Sequence, residues 1–230
     1  MPMPAEIRES DYVVGRQLHG GWLDLQEVLR GILYQGGLAI NPLQRLADIQ
    51  KKAMSLLHAD ADDSLFCLYQ ALADDSLGYC ATHALLCAVI CELTATKLGI
   101  DAAHRHSLVA AALTMNIGMA RDQDSMARQS SDITEWQRTL IAEHPARGAD
   151  ILAGFGVDDV DQLDIVRWHH APDHANAYPA NHAARRLLAL ADSFVARTTA
   201  RKTRASQSAV KAVKAMVLKA QGDELGVGSA

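Results

Sequence analysis

Tyr79-Cys80-Ala81-Thr82-His83-Ala84-Leu85-Leu86-Cys87-Ala88-Val89-Ile90-Cys91-Glu92-Leu93-Thr94-Ala95-Thr96-Lys97-Leu98-Gly99 is the stretch whose reading decides the fold. It is rich in alanine and leucine and reads as one long helix over 79–98, closed by Gly99 in a left-handed cap. His83 falls one turn in, on the face that carries Cys87. With aromatics scarce throughout and no alternating strand pattern anywhere, the sequence predicts an all-α protein.

Working outward, Leu25, Val28, Leu29, Ile32 and Leu33 recur at helical spacing before Gly36-Gly37. Asn41-Pro42 then opens a second helix, with Asn as N-cap and Pro in the first turn. The acidic run Asp60-Ala61-Asp62-Asp63 suits the positive end of a helix dipole. A calcium loop fits less well, since the alternating ligands and closing Glu are missing. On the C-terminal side Asp101 caps a helix through Met115, and the polar stretch from Gly118 to Ser131 reads as a loop or short irregular helix. Asp132-Ile133-Thr134-Glu135 reads as a cap before a helix ending near His144-Pro145, with a separate helical piece over 148–155. Further helices are expected over 161–170, 183–199 and 206–219, and residues 1–19 read as a loosely structured lead-in.

The 230 residues carry a net charge of −5, which gives no general attraction to DNA, RNA or acidic membranes. The continuous apolar runs, 84–91 and 108–115, are too short to cross a bilayer, and the N-terminus lacks the pattern of a signal peptide. A cytoplasmic protein is the expectation. Cys67, Cys80, Cys87 and Cys91 lack metal-binding CxxC spacing, so small buried hydrophobes are the favoured reading over a thiolate site.

The chain has ten histidines. Two are adjacent in Val166-Arg167-Trp168-His169-His170-Ala171-Pro172-Asp173, where a helix runs out. Neighbouring helical side chains diverge by about 100°, so both imidazoles reach one site only if it lies beside the helix end. Asp192 sits inside the apolar segment Leu188-Ala189-Leu190-Ala191-Asp192-Ser193-Phe194, and a buried carboxylate there needs a cation or several donors. His83, His144, His169, His170 and Asp192 are the candidate metal ligands.

In order and spacing these segments resemble the HD-GYP branch of the HD-domain metal-dependent phosphohydrolases, from about Leu72 to Leu225. Tyr79–His83 is similar to the helix bringing that family's first ligand, and the stretch 133–152 to its HP-x-x-G segment around His144. Residues 165–179 resemble its HH…GYP segment, and 188–194 the segment with its late aspartate. The resemblance implies an HD-domain-like helical bundle over 66–225, a short helical extension over 1–65 and a tail over 226–230. It also implies signalling through cyclic di-GMP, which family members hydrolyse with two or three metals, often iron or manganese.

The departures fall on the centre. The family's His-Asp is Met115-Asn116 here, with Gly118 keeping the register, and the lysine thought to contact substrate phosphate is Met119. The Glu after the paired histidines is Ala171, an upstream Glu is Tyr79, and Gly-Tyr-Pro is Ala177-Tyr178-Pro179. A neutral amide bridges two dications poorly, and a thioether does not replace imidazole for a hard ion. The resemblance therefore leaves His83 and Asp192 at one metal position, and His144, His169 and His170 at the other. The expectation is no metal or one divalent ion (iron, manganese or zinc). Catalytic residues are not assigned. Arg147, Arg185, Arg186, Arg197, Arg201, Lys202 and Arg204 are the basic candidates for an anion, and Arg147, Tyr178, Arg201 and Arg204 are taken as ligand-binding. Two readings stay open: a degenerate regulatory module that binds a cyclic dinucleotide, a metal or a signalling partner, and an active single-metal phosphohydrolase.

Overall fold

A computed structural model describes residues 21–74, 77–200 and 205–224. Among them there is no strand, and the all-α expectation holds. The helices are α1 (Trp22–Gln35), α2 (Pro42–Ala59), α3 (Ala61–Leu72), α4 (Tyr79–Lys97), α5 (Ala102–Thr114), α6 (Ala120–Arg128), α7 (Glu135–Phe155), α8 (Val160–Trp168), α9 (His182–Thr198) and α10 (Ala209–Glu224). The expected lead-in over 1–19 lies outside the described residues.

Helix α4 is the axis of the bundle. It is apolar all round because neighbours cover it on nearly every side: α3, α5, α9, α1 and α6 all pack along it. By length and composition it would cross a membrane, although its continuous apolar runs are short; here it is the buried core helix. Cys80, Cys87 and Cys91 are fully buried on it as free thiols, with Cys67 opposite on α3. Burial pushes the Cys87 and Cys80 thiols well up, which keeps them neutral.

The N-terminal helices share this core. Trp22, Leu29, Ile32 and Leu33 of α1 and Ile49, Ala53 and Leu57 of α2 belong to the same buried cluster as α4 and α5. The boundary expected at 65/66 falls inside α3. A polar knot adds to the junction. Asp124 of α6, fully buried, accepts a 2.5 Å hydrogen bond from the Cys80 backbone N–H and another from the Tyr34 hydroxyl. It therefore caps α4 from a distant element, because the local N-cap, Gly78, has no side chain to do so. The polar stretch after Gly118, expected as a loop or a short irregular helix, is the short helix α6, and it carries Asp124.

Local signals worked as capping chemistry predicts at most ends. Asp60 caps α3, accepting from the Asp63 N–H, so the acidic run is a helix start. Asp101 and Asp159 cap α5 and α8, and Thr134 forms a full capping box with Gln137. Asn41 differs. It precedes α2 as expected but makes no side-chain cap bond; its contribution is to accept a left-handed φ of 46°.

The loop after the paired histidines is fixed by one buried ion pair. Arg185 and Asp164 side chains are 2% and 3% exposed, with Nη1 donating to Oδ2 at 2.6 Å. Arg185 also donates to the Tyr178 and Pro172 carbonyls, while Asp164 accepts from the Tyr178 N–H and the Asn181 amide. Arg185 is thus consumed in anchoring this loop and is not free to meet an anion. Arg185→Met leaves Asp164 buried with its main charge partner gone, and is expected to cost about 3–5 kcal/mol in urea denaturation.

Candidate metal centre

One helix brings His144. The sequence predicts a helix ending near His144-Pro145, whereas α7 runs unbroken from Glu135 to Phe155 with Pro145 inside it. Proline lacks the N–H that would bond the carbonyl four residues back, which is that of Ile141. His144 takes that carbonyl itself: its Nδ1 lies 2.7 Å from Ile141 O. The break expected at the proline is thereby used to orient the imidazole.

The second histidine is held in the same way. His169 is the C-cap of α8, and its Nδ1 lies 2.7 Å from Val166 O, in the last turn, where carbonyls lack helical donors. A carbonyl only accepts, so both Nδ1 atoms carry the proton and both Nε2 atoms present lone pairs. These two lone pairs face each other at 3.3 Å. His170 completes the group, its ring 5.1 Å from that of His144 and 4.2 Å from that of His169, beside the helix end as the adjacency required.

Two facing lone pairs need a cation between them, and a proton does not serve near neutrality. Burial, with the neighbouring histidines adding to it, pushes His144 down to about 4 and His169 down to about 3. A divalent ion fits. Nitrogens held at 2.0–2.1 Å in a tetrahedral site stand roughly 3.3–3.4 Å apart. The donor set of His144, His169 and His170, all within 4.8 Å of one another, is that of an ion with an open position.

His83 and Asp192 come together separately, with His83 Nε2 donating to Asp192 Oδ1 at 2.8 Å and Cys87 Sγ 3.5 Å from the same nitrogen. Burial alone would raise the Asp192 carboxyl, but the His83 hydrogen bond and the nearby histidines hold it well below the usual carboxylate range. Here a proton already occupies the line between nitrogen and oxygen, while the buried His83 Nδ1 has no partner.

Between the two groups lies the turn Thr114–Met119. Met115 and Asn116 are buried, and Gly118 is in a place only glycine fills, since a Cβ there would sit 2.6 Å from His144 O. That close approach is the reason for Gly118, and it fixes Asn116 against the site. Asn116, Asp192 and His170 all line one cavity of about 450 Å³.

The expected ligand-binding residues are not brought here. Arg147 is on the exposed side of α7, and Tyr178 is 48% exposed and away from the cavity wall. Arg186 is exposed, and Arg197 donates to Ser193 Oγ. Arg201, Lys202 and Arg204 lie outside the described residues. Gln123 and Met126 of α6, which the sequence does not single out, also line the cavity. Their i, i+3 spacing on the polar stretch was the available signal.

The fold and site thus define an all-α protein with two buried, carbonyl-oriented histidines, His144 and His169, and an exposed third, His170, beside them. Comparison with family models, characterised proteins and solved structures finds no match.

Pro145→Ala tests the orientation argument. Returning an N–H to position 145 offers Ile141 O a backbone partner and loosens His144. Metal affinity, measured by competition with a chelating dye, is expected to fall about 10–100-fold, with thermal stability equal or higher. Unchanged affinity would refute the carbonyl's role.

Proposed function

We propose that this chain is a regulatory module of the HD-GYP type that holds one divalent ion on His144, His169 and His170, with phosphodiester hydrolysis weak or absent. The single observation carrying the reading is the 3.3 Å approach of the His144 and His169 Nε2 atoms, each with its Nδ1 committed to a carbonyl. Imidazole donors favour zinc or iron over manganese. A bound ion would supply Lewis acidity at its open position.

The chain's own residues supply the rest. His144 and His169 are presented by two different helices, so an ion on them ties α7 to α8. His170, the exposed member, faces the cavity. Asn116 stands where the resemblance calls for a bridging carboxylate, and being neutral it gives no second ion a shared anionic ligand. The resemblance further points to cytoplasmic signalling, with the metal-bound state read by a partner.

Metal analysis of protein purified without chelator is expected to give about one ion per chain, lost in His144→Ala. Two ions would overturn the single-site reading. Cyclic di-GMP turnover that disappears in His144→Ala would replace it with the active single-metal phosphohydrolase.

A further inference from the structure

The cavity beside the histidines has a lining that the metal reading does not use. Met119 and Met126, with Leu140 and Ile141, form a small apolar cluster of their own, apart from the main core. Met119, Met126 and Ile141 then face the cavity together with Ile133. No lysine or arginine lines it among the described residues, while Asp192 and Asp132 do. A divalent ion and the Asp192 carboxylate leave one net positive charge beside His170, while Asp132, an exposed carboxylate, is screened by solvent. That balance matches a monoanion; a cyclic dinucleotide brings two negative charges and meets no basic side chain among the described residues of the wall.

Two buried polar atoms in the same wall lack partners. Asn116, 2% exposed, has no acceptor for its Nδ2, and Gln123, 7% exposed, has no donor for its Oε1. Both residues line the cavity. Buried groups of this kind are ordinarily satisfied, so the pair marks where a ligand's own acceptor and donor belong.

We propose that this cavity binds a small monoanionic acid with an apolar body and an N–H or O–H donor beside the acid group, and not a phosphodiester. The proposal rests on the single-ion reading above. The acid group meets the ion's open side at His170 and the Asn116 amide, the adjacent donor answers Gln123, and the body packs on Met119, Met126 and Ile133. Met119 is the specificity-determining residue, since its thioether puts an apolar group on the cavity wall beside Asn116 and Gln123.

Benzohydroxamate is a suitable probe: a monoanionic chelator with an N–H donor and an apolar ring. Protein stripped of metal is loaded with cobalt(II), and ligand binding is read from the visible absorption bands, with inorganic phosphate and cyclic di-GMP as competitors. Benzohydroxamate is expected to bind at least about tenfold more tightly than either competitor. Gln123→Leu is expected to weaken it by about tenfold without changing the cobalt content. Met119→Lys is expected to shift the preference toward phosphate, with circular dichroism checking that both variants are folded. Equal or tighter binding of phosphate or cyclic di-GMP would overturn the proposal, and so would affinities untouched by both substitutions. Cobalt bound at about one per chain with no benzohydroxamate response overturns this inference alone; no bound cobalt overturns the metal reading beneath it.

Discussion

Changing Met115→His together with Asn116→Asp is expected to raise the metal content from about one ion per chain to about two, with phosphodiester hydrolysis appearing alongside. The scaffold for the second ion is largely in place. His83 and Asp192 already lie 2.8 Å apart, joined by a proton that a cation can displace. Asn116 lines the same cavity as Asp192 and His170, so a carboxylate at 116 starts close to both ligand groups. What is missing is charge. Three neutral imidazoles and one carboxylate tolerate one dication; a second beside it needs an anion between them, which an amide does not supply. The single change Asn116→Asp should therefore give most of the gain in metal binding, and Met115→His should add to it only in its presence. Metal analysis and turnover of cyclic di-GMP read the two effects. If neither quantity rises in the double variant, and the variant melts as the parent does, Asn116 does not occupy the bridging position.

Much of this architecture was legible because it rests on local chemistry. Asp60, Asp101 and Thr134 announce helix starts by the hydrogen bonds their side chains make, and those bonds depend on residues only two or three positions away. The paired histidines were legible for a related reason: adjacency on a helix forces a site beside its end, and His169 and His170 are found there. His83 with Asp192, and His144 with the pair, were grouped by resemblance, and the geometry brings the same groups together.

What the sequence did not disclose is where long-range partners override a local rule. Pro145 reads as a stop, yet α7 continues because its packing against α8 and the His144 bond to Ile141 O compensate for the missing N–H. The polar segment after Gly118 reads as irregular, yet Asp124 within it caps a helix whose own start lies 44 residues earlier. Arg185 reads as a basic candidate for an anion, but its partner Asp164 is 21 residues away and buried with it. For Asp124 and Arg185 the deciding contact joins residues that no local window contains together, whereas the bond that compensates for Pro145 spans only three residues. Asn41 is the opposite case, a right boundary for a different reason, since its backbone conformation and not its side chain makes the turn.

Metal-free protein is expected to lose stability as pH falls from about 6.5 toward 4, with the loss beginning well above the range where ordinary carboxylates titrate. In the unfolded chain His144 and His169 take up protons near the ordinary imidazole value. In the folded protein burial holds them neutral until about 4 and about 3. Across that window the unfolded state binds more protons than the folded one, so lowering the pH favours unfolding; above 6.5 neither state is protonated and the slope vanishes. One unit of separation corresponds to about 1.4 kcal/mol, so the loss by pH 4 is on the order of a few kcal/mol. A bound divalent ion should oppose this loss, because it stabilises the folded state by occupying the same nitrogens. Urea denaturation of chelator-treated protein at a series of pH values, with and without zinc, reads both effects. His169→Asn should flatten the acid slope of the metal-free protein and remove most of the zinc response. A slope unchanged by that substitution would mean that the buried imidazoles do not govern the acid limb, and that the lone pairs facing each other at 3.3 Å are not the site of tension that makes this pocket seek a cation.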